Sequence, residues 1–247
     1  MTESTSTILV ADADDSTRAF LAAQLTADGY EVLSASRGAE VRARAARGPV
    51  ALLVLGDFEQ LGESLALVRE IRAGGGRHGQ LDPGLPVVVV SRDGGELGML
   101  RALEAGADDH LAKPFSYPEL RARMTALLRR VSRSRGGVVR RVGELEVDRS
   151  AREVRLRGER IVLSQTEFAL LAALSEQPSR VYTKEELLRG VWGFRSMGQT
   201  RTLDSHACRL RRKLEAVAGD RLVVNVWGGS TSAGETGRAV TPLRHGS

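Results

Sequence analysis

The sequence predicts a doubly wound α/β domain on a five-stranded parallel sheet, followed by a smaller α+β domain. Three observations carry that prediction. At 247 residues the chain is long enough for one large domain or two modest ones, each with a core of its own. Its first half alternates short apolar runs with helical patterns, and its second half opens with alternating polar and apolar residues. The charge also changes sign along the chain. Residues 1–130 carry 15 Lys+Arg against 18 Asp+Glu (−3), whereas residues 131–247 carry 21 against 13 (+8), within a total of +5. Such an asymmetry points to two domains, the basic one facing a polyanion.

The expected strands of residues 1–130 are the runs 8–11, 30–34, 50–55, 85–91 and 110–114. Runs this continuously apolar belong to strands buried on both faces, as in a parallel sheet. Helical patterns lie between them, such as 18–29 ending at Gly29 and 63–74 ending at Gly74, and glycine is the usual residue just past a helix. After a helix at 119–130 comes SRSRGG (132–137), and residues 131–139 are read as a flexible linker. Residues 140–247 form the second domain. GELEVD, REVRLRG and ERIVLS (143–164) predict a small antiparallel sheet. Helical patterns follow at 164–177, 183–192 and 200–217; Ser164 and Thr183 each precede a glutamate by three residues, the spacing of a capping box. The run 221–227 is a further strand, and RAVTPL (238–243) is a candidate for one more.

Composition excludes several functions. Hydrophobic residues at 42% and charged residues at 27% rule out wholesale disorder. Aromatics at 4% argue against a binder that stacks bases on rings, and the single cysteine, Cys208, excludes an internal disulfide or a Cys-based zinc cluster. No apolar run approaches 18 residues and the start is polar and acidic, so a cytoplasmic location without membrane association is expected.

In open α/β sheets ligands bind beyond the carboxyl ends of the strands. Those ends carry Asp12, Asp14 and Asp15, then Asp57, Ser91 and Lys113-Pro114. Clustered carboxylates suit a hard cation such as Mg²⁺ with a phosphoryl oxygen, and a lysine and a hydroxyl nearby suit the added phosphoryl charge. The order ILVADADD, Asp57, Ser91, GADDHLAKPF and ELRARMTALLRR resembles the receiver domain of two-component response regulators over residues 7–130. That resemblance implies a flavodoxin-like fold in which Asp57 accepts a phosphoryl group from a sensor histidine kinase. Asp12 and Asp57 would hold Mg²⁺, Ser91 and Lys113 would engage the phosphoryl group, and His110 would occupy the switch-aromatic position. It also implies a dimer surface containing Asp108, Asp109, Glu119 and Arg123. Ala13 stands where a second metal-binding carboxylate is expected, so Mg²⁺ is expected to bind weakly or to have been lost. A rival reading takes DADDST as the nucleophile loop of a haloacid dehalogenase-like phosphatase, but there the lysine should precede the distal Asp pair, and Lys113 follows Asp108-Asp109.

On the 200–217 helix, Leu203, Ala207, Leu210, Leu214 and Val217 form one apolar stripe at about 100° per residue. Arg201, Ser205, Cys208, Arg209 and Arg212 lie opposite, with Thr202, His206, Arg211 and Lys213 on the flanks. One side for a core and a basic side outward, after two shorter helices, is the pattern of a recognition helix in a major groove. LSQTEFALLAAL, RVYTKEELLRGVWG and RTLDSHACRLRRKLE resemble the winged helix-turn-helix output domain of the OmpR/PhoB class over residues 140–227. By that match Arg201, Thr202, Ser205, His206, Arg209, Arg211 and Arg212 are DNA-binding candidates, and WGFRSMGQ (192–199) is a loop facing RNA polymerase. The two resemblances together imply a non-enzymatic transcriptional regulator that binds double-stranded promoter DNA as a homodimer. Control by Asp57 phosphorylation is the leading expectation; constitutive dimerisation or a small ligand is the alternative.

Overall fold

The computed structural model describes residues 6–58, 62–74, 81–133, 139–178, 180–192, 202–219, 223–227 and 238–241. The chain divides into Met1–Leu128 and Arg129–Ser247. In the first unit, β1 (Thr7–Ala11), β2 (Glu31–Ala35), β3 (Leu52–Leu55), β4 (Val87–Ser91) and β5 (Asp109–Ala112) form a parallel sheet in the order β2-β1-β3-β4-β5. The crossover helices are α1 (Asp15–Ala27), α2 (Gly38–Ala45), α3 (Glu63–Arg72) and α4 (Glu96–Ala105), and α5 (Tyr117–Arg133) follows the last strand. Both faces of the sheet are covered, and alternate residues of one strand belong to opposite cores. Leu53 and Leu55 pack with Leu67, Val68 and Ile71 of α3, while Leu52 and Val54 pack with Leu21, Leu25, Leu120 and Met124 of α1 and α5. Gly29 and Gly74 take φ of 88° and 70°, the left-handed conformation expected where those helices stop.

Helix α5 runs through Arg133, beyond the expected start of the linker, and a strand begins at Val139. The interior of the expected linker, residues 134–138, lies outside the described residues.

In the second unit, β6 (Val139–Val142), β7 (Leu145–Asp148), β8 (Glu153–Leu156) and β9 (Glu159–Arg160) form an antiparallel sheet. Then come α6 (Gln165–Glu176), β10 (Tyr182–Thr183), α7 (Lys184–Leu187) continued by a π-helical turn Leu188–Trp192, and α8 (Thr202–Ala218). Both capping boxes form: the Ser164 hydroxyl accepts from the Glu167 N–H while Glu167 accepts from the Ser164 N–H, and Thr183 and Glu186 repeat the exchange. The last strands, β11 (Val224–Trp227) and β12 (Arg238–Thr241), pair antiparallel, and β12 also pairs with β10. The 238–241 segment therefore closes the small sheet, as expected. One core joins β7 and β8 to α6, α7 and α8 through Val147, Leu156, Phe168, Leu171, Leu187 and Leu210.

Candidate phosphoryl pocket and nucleic-acid interface

Four strand ends, those of β1, β3, β4 and β5, converge on one pocket in the first unit. Asp12, just past β1, is buried; its Oδ1 accepts the Asp14 N–H at 2.9 Å and its Oδ2 accepts Lys113 Nζ at 2.6 Å. Lys113 also reaches Asp57 Oδ2 at 3.3 Å and so bridges two carboxylates that would otherwise repel. Gly56 permits this arrangement, because a Cβ there would lie 1.7 Å from Asp12 Oδ2. Asp57 is held further by the backbone N–H of Arg92 at 3.2 Å and its guanidinium at 3.5 Å. The sequence reading missed Arg92. A cation immediately after Ser91 at a ligand-binding strand end was the available signal.

Ser91 Oγ lies 3.0 Å from His110 Nε2. His110 is buried, and loss of hydration lowers its pKa below the ordinary value against the opposing pull of Asp109, which favours neutral imidazole in this contact. The expected group Asp57, Ser91, Lys113 and His110 is thus assembled by β3, β4 and β5.

The carboxylates differ in role. Asp14 caps α1, accepting from the N–H groups of Ser16 and Thr17 and from the Thr17 hydroxyl, and these bonds hold its carboxyl below the usual range. A helix cap is a poor second catalytic carboxylate, and the geometry does not favour the phosphatase reading. Asp108 requires a correction, because it is fully buried and cannot line a dimer surface. It accepts Arg72 at 2.7 Å and the Val87 N–H at 2.9 Å, while the same guanidinium donates to the carbonyls of Gly106, Pro83 and Leu85. Adjacent strand residues point to opposite faces, so Asp109 instead pairs with Arg123, which also binds Glu119.

The Mg²⁺ suggested by receiver chemistry can be tested against these groups. Both oxygens of Asp12 already have donors, Ala13 offers no ligand, and Lys113 and Arg92 already counter the two carboxylates. The donor set fits a divalent cation poorly.

On α8, Leu203, Ala207, Leu210 and Leu214 are buried as the stripe required. Two DNA-contact expectations are corrected, those for His206 and Arg209. His206 is fully buried, since its place on the helix falls beside that stripe. Arg209 turns back to Glu167, an ion pair of 2.9 Å with the arginine side chain only 11% exposed and the glutamate wholly buried. Arg211 donates its Nε to the carbonyl of Val223. Lys213 joins Glu167 at 2.8 Å. Ser205, Cys208 and Arg212 remain on the outer face; the Arg212 guanidinium lies 3.6 Å from Cys208 Sγ. Arg201 and residues 193–199 of the expected polymerase-facing loop lie outside the described residues, as does the side chain of Thr202.

Residues 8–125 match the family described as response regulator receiver domain, and residues 158–230 match transcriptional regulatory protein, C terminal. The phosphate regulon transcriptional regulatory protein PhoB of Rhizobium meliloti (strain 1021) is 36% identical over 208 residues, 84% of this chain and 89% of that one. The chain belongs to the OmpR/PhoB class of response regulators. The transcriptional regulatory protein PrrA of Mycobacterium tuberculosis is likewise 37% identical over 223 residues, 90% of this chain and 93% of that one. A solved structure of a RitR mutant covers 98% of this response regulator and 100% of itself at TM-score 0.76; at 22% identity it shows a shared fold. Among the described residues no helix is long and apolar enough to cross a membrane.

Proposed function

We propose that this response regulator is a cytoplasmic switch in which Asp57 takes a phosphoryl group from a sensor histidine kinase, and in which the second unit, as a homodimer, binds promoter DNA. The observation that carries the switch is Lys113 bridging Asp12 and Asp57, which places a cation where phosphoryl charge would develop. An Asp57 carboxylate oxygen attacks phosphorus, the phosphorus–nitrogen bond of the donor phosphohistidine breaks, and its electron pair returns to the imidazole. Ser91, now bonded to His110, is the hydroxyl placed to turn towards the phosphoryl oxygens, which couples the pocket to β5. Mg²⁺ would be held by Asp12 and Asp57, weakly, because Lys113 and Arg92 compete for the same oxygens.

The dimer surface then centres on Glu119 and Arg123, whose ion pair would exchange partners across a symmetric interface, while Asp109, itself buried, holds Arg123 from within its own chain. Two output domains held together gain effective concentration on tandem half-sites. Ser205, Arg211 and Arg212 of α8 are the described groups offered to the groove, and Arg201, Thr202 and the 192–199 loop are kept from the sequence as the DNA-contact and polymerase-facing candidates. Fluorescence anisotropy with promoter fragments tests this: acetyl phosphate should tighten binding by the parent and leave an Asp57→Ala variant unchanged. Equal affinity of both proteins with and without the phosphodonor would overturn the phosphorylation switch.

A further inference from the structure

Beside Asp57, in the first unit, a cavity of about 470 Å³ opens between the carboxyl ends of β3 and β4 and helices α3 and α4. That volume falls among small-molecule sites, which run from about 300 to 1,000 Å³. Small residues line its helical side, Ser64 on α3 and Gly98 and Ala102 one turn apart on α4. Its apolar wall is Phe58, Leu65, Val89 and Ala102, of which Phe58, Val89 and Ala102 are buried. Its polar groups are unevenly committed. Arg92 and Arg101 stand at the mouth with side chains 81% and 64% exposed, held by long contacts to Asp57 at 3.5 Å and Asp93 at 3.4 Å. Pairs so long and so exposed contribute little, and their guanidinium groups can transfer to a better-placed oxyanion.

We propose that this cavity binds an amphipathic organic anion, a compact apolar body bearing one carboxylate, sulfonate or phosphate ester. The body replaces water against Phe58, Leu65, Val89 and Ala102, and the anionic group takes the donors of Arg92 and Arg101. The cavity adjoins the phosphoryl pocket and shares Asp57 and Ser91 with it, and Arg92 reaches from its mouth to Asp57. A ligand that draws this guanidinium away leaves Asp57 facing Lys113 alone and so alters the acceptor's charge balance. Linkage makes the effect reciprocal, so phosphorylation of Asp57 changes ligand affinity by the same factor. Binding itself does not rest on the phosphorylation reading; the coupling does.

The test uses the full chain and the anionic fluorophore 8-anilinonaphthalene-1-sulfonate, with neutral N-phenyl-1-naphthylamine as its uncharged counterpart. The expected result is saturable binding of the anion at one site per chain. Arg92→Gln combined with Arg101→Gln should weaken the anion about tenfold and leave the neutral probe unchanged. Ala102→Phe, which fills the cavity, should abolish binding of both; the arginine variant alters only the mouth and stays decisive should the phenylalanine variant fail to fold. Non-saturable binding, or equal affinity of the parent and the double arginine variant for the anion, would overturn the proposal. Labelling of Asp57 by acetyl phosphate is measured on the same samples. Labelling without saturable probe binding removes the cavity proposal and leaves the phosphoryl switch standing. Probe binding that follows the variants in a protein never labelled supports the cavity and removes the switch.

Discussion

Arg209→Ala should destabilise the second unit rather than relax its reading of DNA. Glu167 is wholly buried and has three partners: Arg209 at 2.9 Å, Lys213 at 2.8 Å and the Ser164 N–H at 2.9 Å. Burial pushes its carboxyl up, but the two cations and the hydrogen bonds from Lys213 and Ser164 outweigh burial and hold it below the ordinary glutamate value of 4.5. Removing one member of a buried pair typically costs about 3–5 kcal/mol. Lys213 still faces Glu167 in the variant, so about 3 kcal/mol is expected for Arg209→Ala. For Lys213→Ala, whose side chain is 29% exposed, screening reduces the expectation to about 1 kcal/mol. Urea unfolding followed by tryptophan fluorescence reports on this unit, because both tryptophans, Trp192 and Trp227, lie in it. With a slope of about 1–3 kcal/mol per molar urea, the Arg209→Ala midpoint should fall by roughly 1–3 M. A Glu167→Gln/Arg209→Gln double-mutant cycle should show strong coupling. The reasoning fails if Arg209→Ala unfolds at the parental midpoint yet loses discrimination at a single base pair.

In the first unit, Arg72→Ala should cost about 3–5 kcal/mol, since it leaves Asp108 buried without its cation and strips three backbone carbonyls of their donor; an unchanged calorimetric transition would count against that. His110, with a folded pKa below 6.5, binds fewer protons folded than unfolded in the window between the two values, so stability should fall as pH drops below about 6.5 and level off below the folded value. Pulse proteolysis across this range should show a shallower slope for His110→Phe, and an identical slope would assign the titration elsewhere. Arg212→Ala should weaken binding to every DNA sequence alike and lower the salt slope by about one if the arginine meets phosphate. Loss of affinity for one base pair only would make it a base reader instead.

Local patterns foretold much of this structure. Continuous apolar runs became strands buried on both faces, Gly29 and Gly74 ended helices, and the Ser164/Glu167 and Thr183/Glu186 spacings became capping boxes. Asp12, Asp57, Ser91 and Lys113 were legible as a group because a parallel sheet gathers its carboxyl ends. What escaped was decided by neighbours distant in sequence. Helical periodicity placed Arg209 on the outer face, but it sits towards a flank, and Glu167, forty-two positions earlier, draws it inward. The adjacent carboxylates Asp108 and Asp109 read alike, and only the strand's alternation with Arg72 and Arg123 on opposite sides separates their roles.

The central claim is that Asp57, beside Lys113, accepts the phosphoryl group. Intact-mass and peptide-mapping mass spectrometry after incubation with acetyl phosphate and Mg²⁺ tests it most directly. A single phosphoryl adduct on Asp57, absent from Asp57→Ala and much reduced in Lys113→Ala, is the predicted result. No adduct on the parent under conditions that label another receiver domain, or an adduct that persists in Asp57→Ala, would contradict it.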